Sequence, residues 1–521
     1  MSSAKASITP LAPQAAGGSI EPDFASFARR YEEGAPQVAW TKLVADLETP
    51  VSAMLKLAHE RPNSFLLESV EGGATRGRYS IIGCEPDLIW RADGSKAEIN
   101  RAPLADPNAF APSPLPALAS LRALLAESAI ELPESLPPMA AGIFGYMGYD
   151  TVRLIERLPN EKADTLGLPD SILVRPTLIV VFDSVKDEMT IVTPVRPAPG
   201  LSAKAAYARA AERLNLALER LDQPLPHASS AEMSAPHPEP KAKTAPQAFM
   251  AKVKRAKDYI AAGDIFQVVL SQSFEAPFTL PSFALYRALR RINPSPYLYY
   301  LNFGDFAVVG SSPEILVRVR DGKVTIRPIA GTRPRGATPE EDKALAEELL
   351  ADAKERAEHL MLLDLGRNDV GRVAEIGSVR VTDSFFLEFY SQVMHIVSNV
   401  EGALAPEFDA VDALMAGFPA GTVSGAPKVR AMEIIDELED EARGPYAGCV
   451  GYFSAAGEMD SCIVLRTSVV KDGTMYVRAG AGIVADSVPE REQAECVSKA
   501  RALFQAADEA VRFAARAKRG Q

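Results

Sequence analysis

The chain has 521 residues, of which 24% are charged and 47% are hydrophobic, and its formal net charge is −12. This length suits two to four domains or one large composite core. No apolar run approaches the ~18 residues that a membrane-spanning helix needs, so we expect no membrane partner. The acidic balance also argues against nucleic acid, because proteins that bind a phosphate backbone need clustered Lys and Arg.

Cysteine and histidine usage restricts the compartment and the metal chemistry. The four cysteines show no CxxC spacing, and the amino terminus lacks the apolar segment of an export signal. We therefore expect reduced thiols and a cytoplasmic protein. The same spacing disfavours zinc, and with only five histidines a histidine-based metal site is disfavoured too.

Two low-complexity stretches divide the chain. Residues 1–20 are rich in Ala, Ser, Gly and Pro, which predicts a mobile tail, and the prolines within 222–247 predict a linker. We therefore place an amino-terminal lobe at 21–221 and a second domain at 248–521.

The predicted elements favour an α+β fold. Apolar periodicity predicts helices near 51–60, 115–128 and 202–221, among short strands. After the linker, strands outnumber helices, and the Asx-Gly pairs Asp321-Gly322 and Asp472-Gly473 favour tight antiparallel hairpins. A helix does not follow each strand, which disfavours a parallel doubly wound sheet. We therefore predict large antiparallel β-sheets packed with helices.

Two predicted helices each carry two glutamates three residues apart. These are Glu355 and Glu358 in the first helix, and Glu492 and Glu495 in the second. Residues i and i+3 share a helix face, so each pair points in one direction. If the two faces converge, their oxygen atoms suit Mg²⁺. From the spacing alone, solvated helix faces are the more frequent explanation.

Two glycine-rich segments and an arginine indicate anion binding. Residues 417–428 lack the spacing of a phosphate-binding loop, which disfavours ATP. Residues 480–485 fit GxGxxA but do not lie in a βαβ unit, which disfavours a dinucleotide. Both segments can still offer backbone N–H groups to a carboxylate. Arg466 lies in an apolar strand predicted over 461–470, where its guanidinium needs either a carboxylate ligand or a structural ion pair. His395 is either a core histidine or an acid/base group, and alone it favours the core.

These stretches belong to a longer series of motifs. From about Asn63 to Ala500 the chain carries, in order, LLES, NPSPY, SSPE, RPIAGTRPRG, AEHLMLLDLGRND, VMHIVS, GFPAGTVSGAPK and RAGAGIVADS. The series resembles the chorismate-utilising enzymes and, within them, the component I family of anthranilate synthase. The resemblance implies two interleaved lobes, the second a chorismate-binding catalytic domain. It also implies Mg²⁺-dependent amination of chorismate by ammonia, with loss of pyruvate, as the first committed step of tryptophan biosynthesis under tryptophan feedback inhibition.

The resemblance also implies roles for individual residues. Glu314 would be the general acid for the leaving hydroxyl, and His395 would assist the elimination of pyruvate. The implied Mg²⁺ ligands are Glu358 and Glu495, with Glu355 and Glu492 beside them or acting through water. The implied substrate-binding residues are Gly331, Thr332, Tyr446, Arg466, Gly480, Ala481, Gly482 and Lys499.

Two positions separate the chain from sibling enzymes of the family. Gln267 stands where isochorismate and salicylate synthases carry a water-activating lysine, and Ala330 stands where aminodeoxychorismate synthases commonly carry a nucleophilic lysine. We therefore count Gln267 with the catalytic residues and expect external ammonia. No glutaminase segment is evident, so the resemblance implies a separate glutamine amidotransferase subunit (component II). Aminodeoxychorismate synthase and a non-catalytic tryptophan-sensing subunit are the alternatives.

LLES, NPSPY and Tyr452 resemble the tryptophan feedback pocket between the two lobes. The implied inhibitor contacts are Glu68, Ser69, Pro296, Tyr297, Leu298 and Tyr452, with Val450 as a neighbour. A basic residue usually follows LLES, and Arg76 and Arg78 both fit that place. A purely structural strand at LLES is the alternative.

Overall fold

A computed structural model of the protein describes residues 18–58, 61–71, 75–226, 235–390 and 393–516. Most of the predicted tail lies outside these residues, but Ile20, at its end, is buried in the core. No helix within the described ranges is long and apolar enough to cross a membrane.

The described helices are α1 (Phe24–Glu32), α2 (Pro50–Ala58), α3 (Ala117–Ser128), α4 (Ala203–Leu221), α5 (Pro246–Ala262), α6 (Ser282–Ile292), α7 (Pro339–Ala351), α8 (Ala353–Gly371), α9 (Ala410–Gly417), α10 (Lys428–Leu438) and α11 (Pro489–Arg516). The strands that precede the linker are β1 (Gln37–Val44), β2 (Ser64–Glu71), β3 (Thr75–Asp93), β4 (Lys96–Asn100), β5 (Phe110–Pro112), β6 (Gly142–Met147), β7 (Ser171–Asp183) and β8 (Glu188–Val195). The later strands are β9 (Lys241–Ala242), β10 (Gln267–Pro277), β11 (Tyr297–Asn302), β12 (Phe306–Ser312), β13 (Ile315–Arg320), β14 (Lys323–Ile326), β15 (Ile329–Pro334), β16 (Arg380–Phe389), β17 (Val393–Ala403), β18 (Gly425–Ala426), β19 (Cys449–Ser454), β20 (Met459–Ile463), β21 (Thr467–Lys471) and β22 (Thr474–Ile483).

The predicted helices and hairpins are confirmed. The segments 115–128 and 202–221 form α3 and α4, and 51–58 of the predicted 51–60 lie in α2, whereas 59 and 60 lie outside the described residues. Ser202 caps α4 by accepting a hydrogen bond from the backbone N–H of Ala205. Asp321 and Gly322 both have positive φ, at 50° and 69°, as a type I′ turn requires. They join β13 to β14 with Arg320 opposite Lys323. The Asp472-Gly473 turn joins β21 to β22 in the same way.

The two lobes share one network of antiparallel strands. Strand β2 pairs with β11, which places Glu68 opposite Leu298 and Ser69 opposite Tyr297. Strand β6 pairs with β19 in the same manner. Strands from both sides of the predicted linker therefore alternate within one sheet, which confirms the predicted α+β class. The boundaries at 21–221 and 248–521 stay a prediction, and β9 lies inside the predicted linker, paired with β10.

One strand prediction is wrong in its middle. The segment 461–470 is not continuous, because β20 ends at Ile463 and β21 begins at Thr467. Strand β20 pairs with β13 and β19, whereas β21 pairs with β12 and β22, so the chain must change direction between them. Arg466 lies in this break with a positive φ of 48°. An apolar sequence on both sides of the break hides it from periodicity.

Candidate active site

Arg466 is the cation at the centre of the site. The break between β20 and β21 carries it, and burial lowers the pKa of its guanidinium, while Tyr390 and Glu314 act in the opposite sense. Within the described ranges no carboxylate forms an ion pair with Arg466, in contrast to most other arginines of the chain, which do. A buried guanidinium without such a partner is suited to an anionic ligand, and a carboxylate is its bidentate match.

Glu314 is a buried carboxyl group beside this cation. It lies between β12 and β13, is 6% exposed, and accepts a hydrogen bond at 3.1 Å from the hydroxyl of Thr422. Burial raises its pKa to about 8, although Thr422, the backbone N–H of Ile329 and Arg466 each lower it. Desolvation therefore outweighs three favourable contacts, and the group is protonated near neutral pH. Such a carboxyl can donate a proton.

His395 lies on β17 as a neutral imidazole. Its Nδ1 is 3.2 Å from the carbonyl oxygen of Gly331 and 3.0 Å from the hydroxyl oxygen of Thr332. A carbonyl only accepts, so Nδ1 carries the proton and Nε2 holds a lone pair. Burial, with the help of Arg466, lowers the pKa of His395 to about 4. Nε2 is therefore free to accept a proton at neutral pH.

Gly480 and Gly482 present backbone donors at an edge of β22. Their partners on β10, Ser271 and Val269, send their N–H groups away from β22, to Glu439 and Ser424. In an antiparallel ladder these are then non-hydrogen-bonded pairs, so the N–H groups of both glycines point to the opposite edge. Beyond Val477 that edge has no partner among the described strands. The N–H of Ala481, by the same alternation, points into the ladder, so only two of the three predicted donors are free.

The two glycines are also required by their neighbours. A Cβ on Gly480 would lie 2.6 Å from the hydroxyl oxygen of Tyr446, and one on Gly482 would lie 2.5 Å from Nε2 of Gln267. Tyr446 and Gln267 therefore lie directly against the strand that offers the donors. Gln267 is 4% exposed and its Oε1 has no hydrogen-bond partner in the described part of the chain. A buried acceptor of this kind is costly unless a ligand satisfies it.

The glutamates of α8 and α11 face one another. Burial and the charges of Glu355 and Glu495 raise the pKa of Glu358, and burial and Glu495 raise that of Glu492. Interaction between carboxylates on two different helices means that the two predicted faces converge. Two of the four carboxylates are partly compensated, since Lys499 lies 2.7 Å from Glu495 and Arg333 lies 3.1 Å from Glu355.

The donor set fits Mg²⁺ only as a shared ion. No group of three or more metal-ligating side chains in the described residues is close enough to hold an ion by itself. Glu358 has no Lys or Arg within ion-pair distance in the same ranges, and its pKa is raised first by burial and then by the charges of Glu355 and Glu495. Mg²⁺ typically takes one or two carboxylates and completes its shell with water and an anionic substrate. Lys499 also donates to the carbonyl oxygen of Gly480 at 2.9 Å, which ties α11 to the glycine edge.

The residues predicted for the inhibitor pocket line one cavity of about 920 Å³, which we call the interlobe cavity. Its walls include all six, Glu68, Ser69, Pro296, Tyr297, Leu298 and Tyr452, together with Val450. Of the two basic candidates, Arg78 lines this cavity and pairs with Asp183 at 2.9 Å. The side chain of Arg76 lies outside the described residues.

Glu68 differs from the other residues of the cavity in how its carboxylate is used. The hydroxyl of Tyr286 donates to it at 2.5 Å, and the guanidinium of Arg290 donates at 2.5 and 2.9 Å. Both partners lie on α6, and Glu68 is 6% exposed. Its negative charge is therefore balanced within the protein before any ligand binds.

Sequence reasoning missed two functional side chains. Thr422 was hidden in a glycine-rich segment that we examined only for backbone donors, yet its hydroxyl is the polar partner of Glu314. Tyr390 stood outside every motif, yet its ring lies edge-on to His395 at 5.5 Å between centroids. Its position, five residues before His395, was the available signal.

Comparison with known proteins agrees with this geometry. The family model described as chorismate binding enzyme matches residues 65–505. Anthranilate synthase component 1 of Cereibacter sphaeroides is 59% identical over 497 residues, covering 95% of this chain and 99% of its own length. The Thermus thermophilus protein of that name is 50% identical over 469 residues, covering 89% and 96%.

A solved structure supports the same assignment. The crystal structure of anthranilate synthase component I from Streptococcus pneumoniae is 40% identical, with a TM-score of 0.71, and the match covers 82% of this chain and 92% of that one. Residues 65–505, which the family model matches, contain all the motifs from LLES to RAGAGIVADS. The chain therefore belongs to the chorismate-binding enzymes and, within them, to the anthranilate synthase component 1 family.

Proposed function

We propose that the chain catalyses the Mg²⁺-dependent amination of chorismate by ammonia, with loss of water and then pyruvate, to give anthranilate. The observation that carries the proposal is the cluster of Arg466, Glu314 and His395. It combines an unpaired guanidinium, a protonated carboxyl and an unprotonated imidazole in one buried site. Those are an anion clamp, an acid and a base.

The first half of the reaction needs a proton donor. Ammonia adds to C2 of the ring, both ring double bonds shift (C1=C2 to C1=C6, and C5=C6 to C4=C5), and the C4–O bond breaks. The hydroxyl leaves as water only if a proton reaches its oxygen, and Glu314 is the group that supplies it. Thr422 holds the carboxyl in place and stabilises the carboxylate that remains.

The second half of the reaction needs a base. Nε2 of His395 takes the proton from C2, and the C–O bond between the ring and the enolpyruvyl group breaks. The ring becomes aromatic as the enolate of pyruvate leaves and takes up a proton at its methylene carbon. Gly331 and Thr332 fix the tautomer that leaves Nε2 unprotonated. A histidine with a pKa of about 4 is a weak base, so aromatisation supplies much of the driving force.

Both carboxylates of the substrate have donors in this site. We assign the pyruvyl carboxylate to Arg466, Tyr446 and the N–H groups of Gly480 and Gly482. The ring carboxylate falls to the glutamate side, where Mg²⁺ bound by Glu358 and Glu495 would neutralise it and polarise the side of the ring that loses the hydroxyl. The hydroxyl of Ser487 donates a hydrogen bond to the carboxylate of Glu492 and so orients that side chain.

Gln267 supports ammonia as the nucleophile. Its unpartnered Oε1 accepts a hydrogen bond from ammonia or ammonium, but an amide cannot deprotonate water as a lysine amine can. We propose that a separate glutamine amidotransferase subunit delivers the ammonia, as the designation component 1 of the relatives suggests. Ammonium salts replace that subunit in vitro.

We also propose that tryptophan binds in the interlobe cavity and inhibits the enzyme. The cavity is walled by apolar and aromatic side chains, among them Leu298, Val450 and Tyr452, with arginines at its polar end. An indole ring and a carboxylate match these two surfaces.

The test is to incubate the purified chain with chorismate, ammonium and MgCl₂ and to follow anthranilate fluorescence. Omission of each component in turn and the Glu314→Gln variant are the controls, and all should abolish the signal. Formation of 4-aminobenzoate instead would favour aminodeoxychorismate synthase. Tryptophan binding without any turnover would favour a non-catalytic sensing subunit.

A further inference from the structure

The hairpin of β16 and β17 lies between the interlobe cavity and the active site. Residues 387–390, at the end of β16, line the cavity, and His395 on β17 belongs to the active site. In the register of the hairpin Glu388 lies directly opposite His395. The paired ends of β16 and β17 therefore reach both compartments.

Tyr390 makes the side-chain connection between them. Its ring contacts the imidazole of His395 edge-on, with 5.5 Å between centroids and 61° between ring planes. Its hydroxyl donates to Oε2 of Glu388 at 2.7 Å, and Oε1 of Glu388 pairs with the guanidinium of Arg327. Tyr390, Glu388 and Arg327 all line the cavity.

The connection has few ways to adjust. Tyr390 is 6% exposed and His395 is 7% exposed, so neither ring can turn without displacing its neighbour. Tyr390 also interacts electrostatically with Arg466 and Glu314. A ligand that moves Glu388 or Arg327 in the cavity wall therefore moves the ring that fixes His395.

We propose that Tyr390 is a positioning residue that orients His395 and transmits the occupancy of the interlobe cavity to it. The inference rests on the proposed function, because it takes the cavity as the tryptophan site and His395 as the base. Coupling is then a difference in the Tyr390–His395 arrangement between the empty and the occupied cavity. Tryptophan inhibits without contacting the substrate.

The test separates tryptophan binding from tryptophan inhibition. For each variant, calorimetry gives the Kd of tryptophan, and assays relative to that variant's own uninhibited rate give the concentration for half-inhibition. Tyr390→Phe keeps the ring and removes the bond to Glu388. We expect the ratio of half-inhibition concentration to Kd to rise at least about tenfold, within the usual range of coupling factors. Glu388→Gln should act in the same direction.

Tyr259→Phe is the matched control, because that hydroxyl also donates to a carboxylate, Glu437, but lies outside the cavity wall. Its ratio should equal that of the unaltered chain. An unchanged ratio in both Tyr390→Phe and Glu388→Gln, with binding and inhibition intact, overturns the inference alone. Failure of the unaltered chain to bind tryptophan refutes the proposed role of the cavity, and the inference with it.

Discussion

The hydroxyl of Thr422 lies 3.1 Å from both carboxyl oxygens of Glu314, which is itself only 6% exposed. This contact lowers the pKa of Glu314, whereas burial raises it, and the resulting pKa is about 8. The acid of the proposed reaction is thus tuned by two opposing effects, and each can be altered separately.

Replacement of Thr422 by valine should raise the pKa of Glu314 further. The hydroxyl stabilises the carboxylate, so its loss favours the protonated form. Glu314 acts when protonated, and kcat/KM should fall with rising pH as the group loses its proton near pH 8. In Thr422→Val this alkaline limb should move to higher pH. A limb that stays in place or moves to lower pH would contradict the assignment of Glu314 as the acid.

Replacement of Arg466 by glutamine should weaken substrate binding. The charge-assisted hydrogen bonds of a guanidinium are worth about 1.5–3 kcal/mol each, so kcat/KM for chorismate should fall about 10- to 100-fold for each one lost. Arg466→Lys should recover only part of the loss, because an ammonium cannot bind a carboxylate bidentately. Arg367→Gln, at an exposed arginine of α8, is the control. Wild-type kinetics in Arg466→Gln would remove the residue from the site.

How much of this site the sequence could predict depends on what holds each part together. The convergence of LLES with NPSPY results from the pairing of β2 with β11, and it could be predicted only through the resemblance to the family's feedback pocket. The position of Arg466 depends on strands that change partners in three dimensions, and no local pattern records that. The role of Thr422 could not be predicted for a related reason, because the position of a single hydroxyl group is not reflected in the periodicity of the sequence.

Buried histidines should make the chain less stable as the pH falls. Burial lowers the pKa of His359 and of His395 to about 4, against about 6.5 in the unfolded chain. Between these values the unfolded state binds protons that the folded state does not. The free energy of unfolding should therefore fall with falling pH, by about 1.4 kcal/mol per pH unit for each histidine.

His359→Gln isolates one of these contributions. His359 is fully buried, hydrogen-bonded through Nε2 to the hydroxyl of Ser398 at 2.6 Å, and lies outside the proposed chemistry. Denaturant unfolding at several pH values between about 6 and 4 gives the free energy of unfolding as a function of pH. In His359→Gln this free energy should depend less steeply on pH than in the unaltered chain, by the equivalent of up to about one proton. Equal slopes would mean that His359 has the same pKa in the folded and the unfolded state.

Replacement of Ser69 by arginine should fill part of the interlobe cavity. Ser69 lies on β2 opposite Tyr297, and both line the cavity. We expect the Kd of tryptophan, measured by calorimetry, to rise at least about tenfold, because a well-packed site loses more than about 1.4 kcal/mol when a large side chain enters it. Turnover without tryptophan should persist, since Ser69 belongs to the cavity and not to the active site. Unchanged affinity would place tryptophan elsewhere.

Removal of charge at Glu358 tests the convergence of the two helices. Glu358 has no cationic partner among the described residues, whereas Glu355 is paired with Arg333 at 3.1 Å. Glu358→Gln should therefore abolish turnover at ordinary Mg²⁺ concentrations, and Glu355→Gln, the matched control one helical turn away, should reduce it less. Calorimetric titration of Mg²⁺ into each variant with chorismate present gives a readout independent of turnover. Because Glu358 forms no ion pair among the described residues, its replacement breaks none, and the midpoint of the unfolding transition should stay the same. Retained Mg²⁺ affinity and activity in Glu358→Gln would show that the ion binds elsewhere.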